Sequence, residues 1–407
     1  MIFKIAWRNI YRNKKRSLIT ITSIFAALFL IIFMRALQFG FYDNLIKTVV
    51  ESYAGYVEVH AKGFWDNQNL ENSMVVDNEL IKNIESVNGV ENTVERLQSF
   101  SLISTGEKTR GGVINGVVIE DEQKITDWNK NIIDGSFQLE RNEIIIAKGI
   151  AEYFDLQIGD SLILYGQGYR GMMAAGKYPV KGIIDLKNPN LNKIGIFMTL
   201  ESARDYVSSD NISTHIIIDK RQYYSEDKIL NDLESILSSD YEVMTWKETL
   251  PEIEQTITAD SAGGLIMAFI LYIIVVFGMF GTVLMMTEER KYEFGVLISI
   301  GMSRIRLFSI ILVETVILSM IGVVLAILVT YPISYYFYLN PINIVTLMGE
   351  GADVMIEEFG FDPVVPFSIS LDIPFSHALI IFTFSLLISV YPAIRIFRLN
   401  PVKSMKI

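Results

Sequence analysis

The sequence has no cysteine and only three histidines in 407 residues. Without cysteine the chain has no disulfide, thiolate metal site, cysteine nucleophile or acylated lipoprotein cysteine. His60, His215 and His377 are far apart and show no metal-ligand spacing, which argues against a zinc or iron enzyme. Only 20% of the residues are charged and 51% are hydrophobic, with a mean hydropathy of +0.35. This composition predicts long apolar runs, which ordinary soluble domains lack.

Four runs have almost no charge and are long enough to cross a bilayer as helices. They fall in residues 17–38, 261–287, 307–339 and 373–394. The first run also resembles a signal peptide, because basic residues precede it. It is too long for one, however, and no small-residue cleavage site follows Met34, so we predict a retained anchor helix.

Basic residues are absent from 340–372, which carries six acids. Residues 1–16, 288–306 and 395–407 together carry fourteen basic and three acidic residues, whereas 36–260 carries 20 basic and 36 acidic residues. Because cytoplasmic loops are enriched in Lys and Arg, we expect both termini and 288–306 to be cytoplasmic. The net charge of −11 thus divides into a basic cytoplasmic face and an acidic outer part.

The long segment between the first two spans alternates strand-like and helix-like patterns. Residues 56–60 alternate polar and apolar side chains, as a half-buried strand does, and 78–87 has helical spacing after a capping Asp77 or Asn78. Similar pieces recur up to a helix over 245–258 that leads into the second span. We therefore predict a membrane protein with four transmembrane α-helices and a large α+β extracytoplasmic domain inserted between helices 1 and 2.

Two overlapping nucleotide-binding patterns occur in the glycine-rich stretch 166–178. Residues 166–171 match G-x-G-x-x-G, and 171–178 match a P-loop except that Tyr178 replaces Ser or Thr. A phosphate loop needs a short hydroxyl for Mg²⁺ and a following helix, but a strand-like run follows Pro179. We predict a mobile hairpin tip here between strands 161–165 and 178–185. Its functional alternative is a partner-docking loop with these residues: Tyr165, Tyr169, Met172, Met173 and Lys177.

The turn between the second and third spans has a distinctive pattern. Residues 292–300 predict a short amphipathic helix at the membrane surface, which ends at Gly301. One interpretation is a basic interfacial turn that only enforces topology. The other is a rigid lever that docks into a soluble partner.

The residues of this turn resemble the coupling-helix signature of MacB/FtsX-type ABC permeases. The matching positions are Glu289, Arg290, Glu293, Phe294, Gly295, Leu297 and Gly301. Residues 6–16, 80–90, 391–393 and 400–402 resemble the N-terminal helix, the start of the periplasmic core domain and the C-terminal end of this family. Residues 148–160 resemble the LolC/LolE lipoprotein-releasing permeases most, and 165–178 falls where their chaperone-binding hook lies.

The resemblance implies a non-catalytic permease subunit in the inner (plasma) membrane. Its partners would be a dimer of ABC ATPase subunits, a second permease copy or paralogue, membrane lipid, a periplasmic chaperone and a lipoprotein cargo, with no nucleic acid. The chain itself would need no cofactor, because ATP and Mg²⁺ would bind the separate ATPase. An FtsX-like subunit that activates a cell-wall hydrolase is the alternative function.

The predicted organisation, in chain order, is as follows. It comprises a cytoplasmic amphipathic N-terminal helix (1–16), TM1 (17–38), the extracytoplasmic domain (39–260), TM2 (261–287), the cytoplasmic coupling helix (288–306), TM3 (307–339), an extracytoplasmic loop (340–372), TM4 (373–394) and a cytoplasmic tail (395–407).

Four single residues within or beside the spans invite separate interpretation. Arg35 directly follows the uncharged residues 17–34 of the first run, and we expect it to extend to the outer headgroups; a role in cargo binding is the alternative. Glu314 lies inside the third run with no Lys, Arg or His at a matching depth, so we expect a hydrogen bond to Ser or Thr of a neighbouring helix. Gly278 and Gly281 are expected to allow close helix packing.

Overall fold

The computed structural model describes residues 2–400 apart from 127, 187, 223, 344 and 347–363. The contacts between Cα atoms divide the chain into two compact units. The membrane unit comprises residues 1–43, 257–342 and 364–407, and the inserted domain comprises 44–256 and 343–363. Most of the predicted loop 340–372 and the end of the predicted tail, residues 401–407, lie outside the described residues.

The helices, in chain order, are α1 (Ile2–Arg12), α2 (Lys14–Ile46), α3 (Asn78–Glu85), α4 (Ile119–Ile125), α5 (Lys148–Phe154), α6 (Pro189–Ile194), α7 (Leu200–Val207), α8 (Glu226–Ile236), α9 (Trp246–Thr249), α10 (Pro251–Glu289), α11 (Lys291–Ser299), α12 (Arg304–Leu339), α13 (Asp372–Ile388) and α14 (Val390–Phe397). A π-helical segment, Lys47–Ala54, follows α2 directly.

The strands are β1 (Val57–Ala61), β2 (Met74–Val75), β3 (Val90–Ser104), β4 (Thr109–Val117), β5 (Ile132–Gly135), β6 (Ile144–Ala147), β7 (Ser161–Gln167), β8 (Met173–Ile184), β9 (Gly195–Thr199), β10 (Ile212–Ser213), β11 (His215–Lys220), β12 (Tyr241–Thr245), β13 (Ile342–Asn343) and β14 (Val364–Val365).

Four helical stretches in the described residues are long and apolar enough to cross a membrane, which confirms the predicted number of spans. They are Lys14–Val50, Pro251–Glu289, Arg304–Leu339 and Asp372–Phe397. Each of the first two extends well beyond the predicted apolar run, because a helix continues into polar residues wherever its backbone hydrogen bonds remain satisfied. The last stretch is divided at Ser389 into α13 and α14.

Close packing in the membrane unit occurs at glycines other than those that we predicted. A Cβ atom on Gly322 of α12 would lie 2.8 Å from Ile24 Cγ2 of α2, and one on Gly264 of α10 would lie 2.4 Å from Gln38 Oε1. Gly278 and Gly281 have no other atom within 4 Å of the position of a Cβ. The prediction for these two glycines is therefore wrong for contacts within this chain.

Six strands of the inserted domain close into a ring. Strand β3 pairs with β4, β4 with β9, β9 with β6, β6 with β8, β8 with β7, and β7 returns to β3. The inward side chains of this ring form one apolar core, which includes Leu97, Ile103, Leu164 and Ile196. A mixed α+β domain between the first two spans was therefore predicted correctly.

The sheet continues beyond the ring through β11, β1 and β12. Because side chains alternate along a strand, Val57, Val59 and Ile216 face an apolar core with α3 and α8, whereas Glu58 and His60 face the other side. Helix α3 begins as predicted, since the Asp77 side chain accepts hydrogen bonds from the Glu79 and Leu80 amides.

Candidate coupling site and docking surface

The turn after the second span begins where α10 ends, at Glu289. Arg290 takes the N-cap position of α11, and Gly301, with φ of +101°, ends the turn that follows this helix. A φ of this sign is costly for residues with a Cβ atom, so glycine suits the position. The Ser303 hydroxyl then accepts a hydrogen bond from the Arg306 amide and starts α12. A short helix is thus clearly separated from both neighbouring spans.

A buried charge pair joins this short helix to the third span. Arg290 Nη1 donates to Glu314 Oε2 over 2.9 Å, and Asn9 Nδ2 of α1 donates to the same oxygen over 3.3 Å. Arg290 is 9% exposed, Glu314 2% and Asn9 6%. Our expectation of a Ser or Thr partner for Glu314 was therefore wrong. The basic partner comes from the turn and not from a span, so comparing depths along the spans could not find it.

Further ion pairs surround this buried pair. Arg12 Nη2 donates to Glu293 Oε1 over 2.8 Å and to Oε2 over 2.9 Å, and Arg16 pairs with Glu289. Burial raises the pKa of Glu293, but hydrogen bonds and charge attraction from Arg12 and Arg290 outweigh it and lower this pKa overall. The exposed pairs individually add little free energy. Together with the buried pair they connect the N-terminal helix, the turn and the third span.

The apolar residues of α11 and of its C-cap position, Ile300, divide into an anchoring set and an exposed set. Phe294 is 1% exposed and packs with Leu307, Ile311 and Ile396, and Gly295 is also buried. Tyr292 and Ile300, in contrast, are 53% and 78% exposed.

A groove of about 260 Å³ lies beside Ile300. It is lined by Ile2, Ile5, Leu297, Ile300, Gly301, Met302, Arg306 and Ile310. The sequence pattern did not single out Tyr292, Ile300 or Asn9 as functional residues, although exposed apolar residues on a basic turn were an available signal.

The predicted hairpin tip of the inserted domain is mostly strand. Strands β7 and β8 pair from Ser161↔Pro179 to Gln167↔Met173, so only residues 168–172 form the turn. The predicted hairpin is present, but the predicted extent of its tip, 166–177, was wrong, because cross-strand pairing extends to Gln167 and Met173. The chain after 171 runs as a strand, without the helix that a phosphate loop needs.

The outward faces of β3, β7 and β8 carry exposed apolar side chains around a groove of about 840 Å³. Tyr165, Met172 and Met173 are 50%, 57% and 66% exposed, as a docking surface requires. Lys177 is also exposed, and it lies opposite Ile163. Tyr169 is only half-buried and packs against the ring core, so it is a weaker candidate contact than we expected.

Phe100 and Leu102 of β3 complete this groove, since they are 63% and 49% exposed and Leu102 lies opposite Tyr165. The local sequence pattern indicated neither residue, because Phe100 and Leu102 precede Tyr165 by 65 and 63 residues along the chain. We call Phe100, Leu102, Tyr165, Met172 and Met173 the outer apolar face.

A buried charged cluster lies on the other part of the sheet. Arg96 is fully buried, and its Nε and Nη2 donate to the two Glu122 carboxylate oxygens over 2.9 and 2.5 Å. Its Nη1 donates to the Tyr53 carbonyl over 2.6 Å, and burial raises the pKa of the Tyr53 hydroxyl to about 12. These contacts fix the segment that follows α2 to the sheet of the inserted domain.

Two of the three histidines lie directly opposite each other next to this cluster. His60 of β1 pairs in register with His215 of β11, with ring centroids 5.9 Å apart. Burial, with smaller contributions from His60 and Arg96, holds the pKa of His215 well below its ordinary value of 6.5. The described residues contain no group of three or more metal-ligating side chains.

This arrangement predicts a pH dependence of the stability of the inserted domain. The unfolded chain takes up a proton at His215 as the pH falls through about 6.5, whereas the folded domain does not. Stability is therefore fully present above this pH and decreases below it, with a limiting slope of about 1.4 kcal/mol per pH unit. Urea unfolding of the full chain, followed by tryptophan fluorescence between pH 7 and 5, measures this slope. His215→Leu should remove it, and an unchanged slope would contradict the assignment.

Two family models match the sequence and together span most of it. A model for the MacB-like periplasmic core domain matches residues 17–235, and one for the FtsX-like permease C-terminal region matches residues 265–401. No curated protein matches the chain.

Solved structures resemble part of the chain. The periplasmic region of MacB from Actinobacillus actinomycetemcomitans is 10% identical with a TM-score of 0.36, over 52% of this chain and 97% of that one. The extracellular domain of the noncanonic ABC-type transporter YknZ from Gram-positive bacteria is 15% identical with a TM-score of 0.32, over 47% and 100%. A domain of a putative permease protein from Porphyromonas gingivalis is 12% identical with a TM-score of 0.30, over 46% and 85%.

The core-domain model covers more than half of the chain, and the C-terminal model falls on the remaining three spans and the turn between them. The chain therefore belongs to the MacB/FtsX-type family of ABC transporter permeases, multi-pass membrane subunits whose family works with an ATPase partner.

Proposed function

We propose that this chain couples ATP hydrolysis by a separate ATPase dimer to movement of its inserted domain, and that this movement releases lipoproteins or another hydrophobic cargo from the membrane. The observation that carries the proposal is the short helix α11, which is anchored by buried Phe294 and by the Arg290–Glu314 pair. A helix held at both the N-terminal helix and the third span transmits a push as a rigid body.

In the proposed topology the chain crosses the inner (plasma) membrane four times. Both termini and α11 then lie in the cytoplasm. Four spans enclose too little space for a transport pathway, so we expect two permease copies, or this chain with a paralogue, in each transporter. The basic residues around α11 support this orientation. In this arrangement α11 faces the compartment where ATP is available.

The exposed residues of α11 and of its C-cap position, Ile300, predict where the ATPase binds. Ile300→Asp places a charge on a side chain that is 78% exposed beside the groove, so it should weaken the ATPase contact without loss of packing. We expect at least about a tenfold loss of co-purified ATPase, the equivalent of about 1.4 kcal/mol. Ile133→Asp, at an isoleucine of the inserted domain that is 55% exposed, is the matched control.

Equal ATPase recovery with Ile300→Asp and the control would show that α11 is not the docking helix. A double substitution of Glu293 and Gly295 tests the same helix from its anchored side. It should uncouple ATP hydrolysis even where some ATPase still binds, since Glu293 holds Arg12 of the N-terminal helix.

The outer apolar face supports a second part of the proposal, that a soluble chaperone-like protein docks on the inserted domain to receive the cargo. Exposed methionine and aromatic side chains are typical of adaptable protein-binding surfaces. Met173→Asp should reduce cargo transfer to a soluble acceptor by about tenfold or more at unchanged ATPase activity. Ile236→Asp, at a residue that is 48% exposed on α8, is the control. Normal transfer by the Met173 variant would exclude this face as the acceptor site.

The match to the FtsX-like C-terminal region also supports the alternative, a subunit that transmits ATP-driven movement to a cell-wall hydrolase. Both functions use the same coupling helix, so the ATPase experiments cannot separate them. Trapping the ATP-bound complex and identifying what co-purifies does: lipoprotein supports release, and a hydrolase supports activation.

A further inference from the structure

Arg35 is a buried cation inside the first span, and no carboxylate of this chain pairs with it among the described residues. It lies in α2 and is 8% exposed, so its side chain is packed within the membrane unit, and the expected contact with the outer headgroups stays a prediction. Its Nη1 donates to Gln38 Oε1 over 2.6 Å, and its guanidinium lies 4.5 Å from the centre of the Phe39 ring. These contacts satisfy one of its five N–H donors.

The carboxylate that contacts Gln38, the partner of Arg35, is already engaged by other groups. Asp260 Oδ2 accepts hydrogen bonds from Gln38 Nε2 over 2.7 Å and from the Tyr42 hydroxyl over 2.7 Å. Gln38 Nε2 also donates to the Asp260 carbonyl over 2.8 Å. Gln38 thus lies between the cation and the carboxylate and keeps them from forming a direct ion pair.

Two further polar side chains near Arg35 belong to neighbouring spans. Tyr272 of α10 and His377 of α13 are hydrogen-bonded to each other through the hydroxyl and Nδ1. Neither of these two side chains is a carboxylate. An arginine remains charged at every physiological pH, and a buried charge without a counter-ion is strongly unfavourable.

The position of Arg35 along the helix indicates which anion is available. Arg35 lies 19 residues after Arg16, which is about 28 Å along an α-helix. This distance matches the roughly 30 Å hydrocarbon core. Lys14, Lys15 and Arg16 mark one headgroup layer, so Arg35 lies at the level of the other, where phospholipid phosphates are concentrated.

We propose that Arg35 binds the phosphate of a phospholipid headgroup, with its unused N–H donors directed to the phosphate oxygens. The planar guanidinium suits two-point binding of phosphate, and the Gln38 contact fixes its orientation. The site belongs to the membrane unit alone. It therefore holds whether or not the proposed function is correct.

The test compares the full chain with Arg35→Gln and Arg35→Lys in delipidated detergent. Arg306→Gln is the control, since Arg306 is exposed at the start of α12. Melting temperature is followed during titration with dihexanoyl phosphatidylglycerol, with dihexanoylglycerol, which lacks phosphate, and with inorganic phosphate. Native mass spectrometry of each protein from membranes counts the retained phospholipids.

Without lipid, Arg35→Gln should melt no lower than the wild type, because it removes an unpaired charge. With phosphatidylglycerol, the wild type and Arg306→Gln should rise in melting temperature with an apparent affinity at least about tenfold tighter than Arg35→Gln. Arg35→Lys should retain part of this gain, and dihexanoylglycerol should give none. The wild type should also retain more phospholipid than Arg35→Gln.

Two results would overturn the proposal. One is an equal lipid response and equal retained lipid in the wild type and Arg35→Gln. The other is loss of a permease dimer in Arg35→Gln at an unchanged lipid response, because the counter-ion would then be a carboxylate of a second copy. If inorganic phosphate raises the melting temperature as much as phosphatidylglycerol does, Arg35 binds phosphate but the ligand is free phosphate and not a lipid.

Discussion

Replacing Glu314 by alanine is expected to lower the free energy of unfolding by about 3–5 kcal/mol, because it leaves the Arg290 guanidinium buried without its carboxylate. The side chains of Arg290 and Glu314 are 11% and 3% exposed, so water cannot replace the lost partner easily. Asn9 would lose its acceptor as well. The melting temperature of the purified chain in detergent measures the loss. The rates of ATP hydrolysis and of cargo release by the reconstituted complex measure how the loss of this pair affects coupling.

Glu288→Ala is the matched control for this prediction. Glu288 belongs to the same turn and pairs with Arg395, but both side chains are exposed, so the melting temperature should not change. The double variant Arg290→Met with Glu314→Leu removes both charges and should recover most of the stability but not the coupling. If Glu314→Ala alone melts like the wild type, the pair is not the anchor that the structure indicates.

Replacing Glu122 by alanine is expected to destabilise the inserted domain by a similar amount, about 3–5 kcal/mol. Both side chains of the Arg96–Glu122 pair are 0% exposed, and Arg96 also holds the Tyr53 carbonyl. Removing the carboxylate leaves a fully buried cation with only this carbonyl and two aromatic neighbours. Urea unfolding of the full chain at pH 7.5, followed by tryptophan fluorescence, measures the change. Trp128 is the most direct reporter, since its ring lies 5.3 Å from the Arg96 guanidinium.

Asp121→Ala provides the control from the neighbouring position of α4. Asp121 pairs with Lys124 at the surface, so its loss should leave the unfolding midpoint unchanged. The double variant Arg96→Met with Glu122→Leu should recover much of the stability, as apolar replacements of buried ion pairs do in other proteins. An unchanged midpoint in Glu122→Ala would mean that solvent reaches Arg96, contrary to its burial in the structure.

The sequence alone was sufficient for the spans, the inserted α+β domain and the short helix between the second and third spans. Each of these depends on local patterns: uncharged runs of bilayer length, alternating strands, and the glycine at position 301 that ends the turn after α11. The sequence was not sufficient for the length of the hairpin formed by β7 and β8. The glycine-rich sequence suggested a long tip, but pairing with β3 and packing in the ring core extend both strands.

Contacts between distant segments could not be predicted from the sequence. The short helix between Glu289 and Gly301 was found from its local pattern, but the packing of Phe294 against the third span and α14 became visible only in the fold. Asn9 and Glu314 are 305 residues apart in the chain, and Phe100 is 65 residues from Tyr165. No local pattern reports such a contact.

The sequence by itself determined the division of this protein into membrane spans and an inserted domain. Apolar runs and the distribution of Lys and Arg depend on the bilayer and not on the details of packing. Only the tertiary structure decided which charges meet. It paired Glu314 with Arg290, enclosed Arg96 with Glu122 and brought His60 opposite His215, and it gave Arg35 no carboxylate partner among the described residues. The physical reason is that the free energy of a charge depends on its burial and on the groups within a few ångströms, and the fold alone sets both.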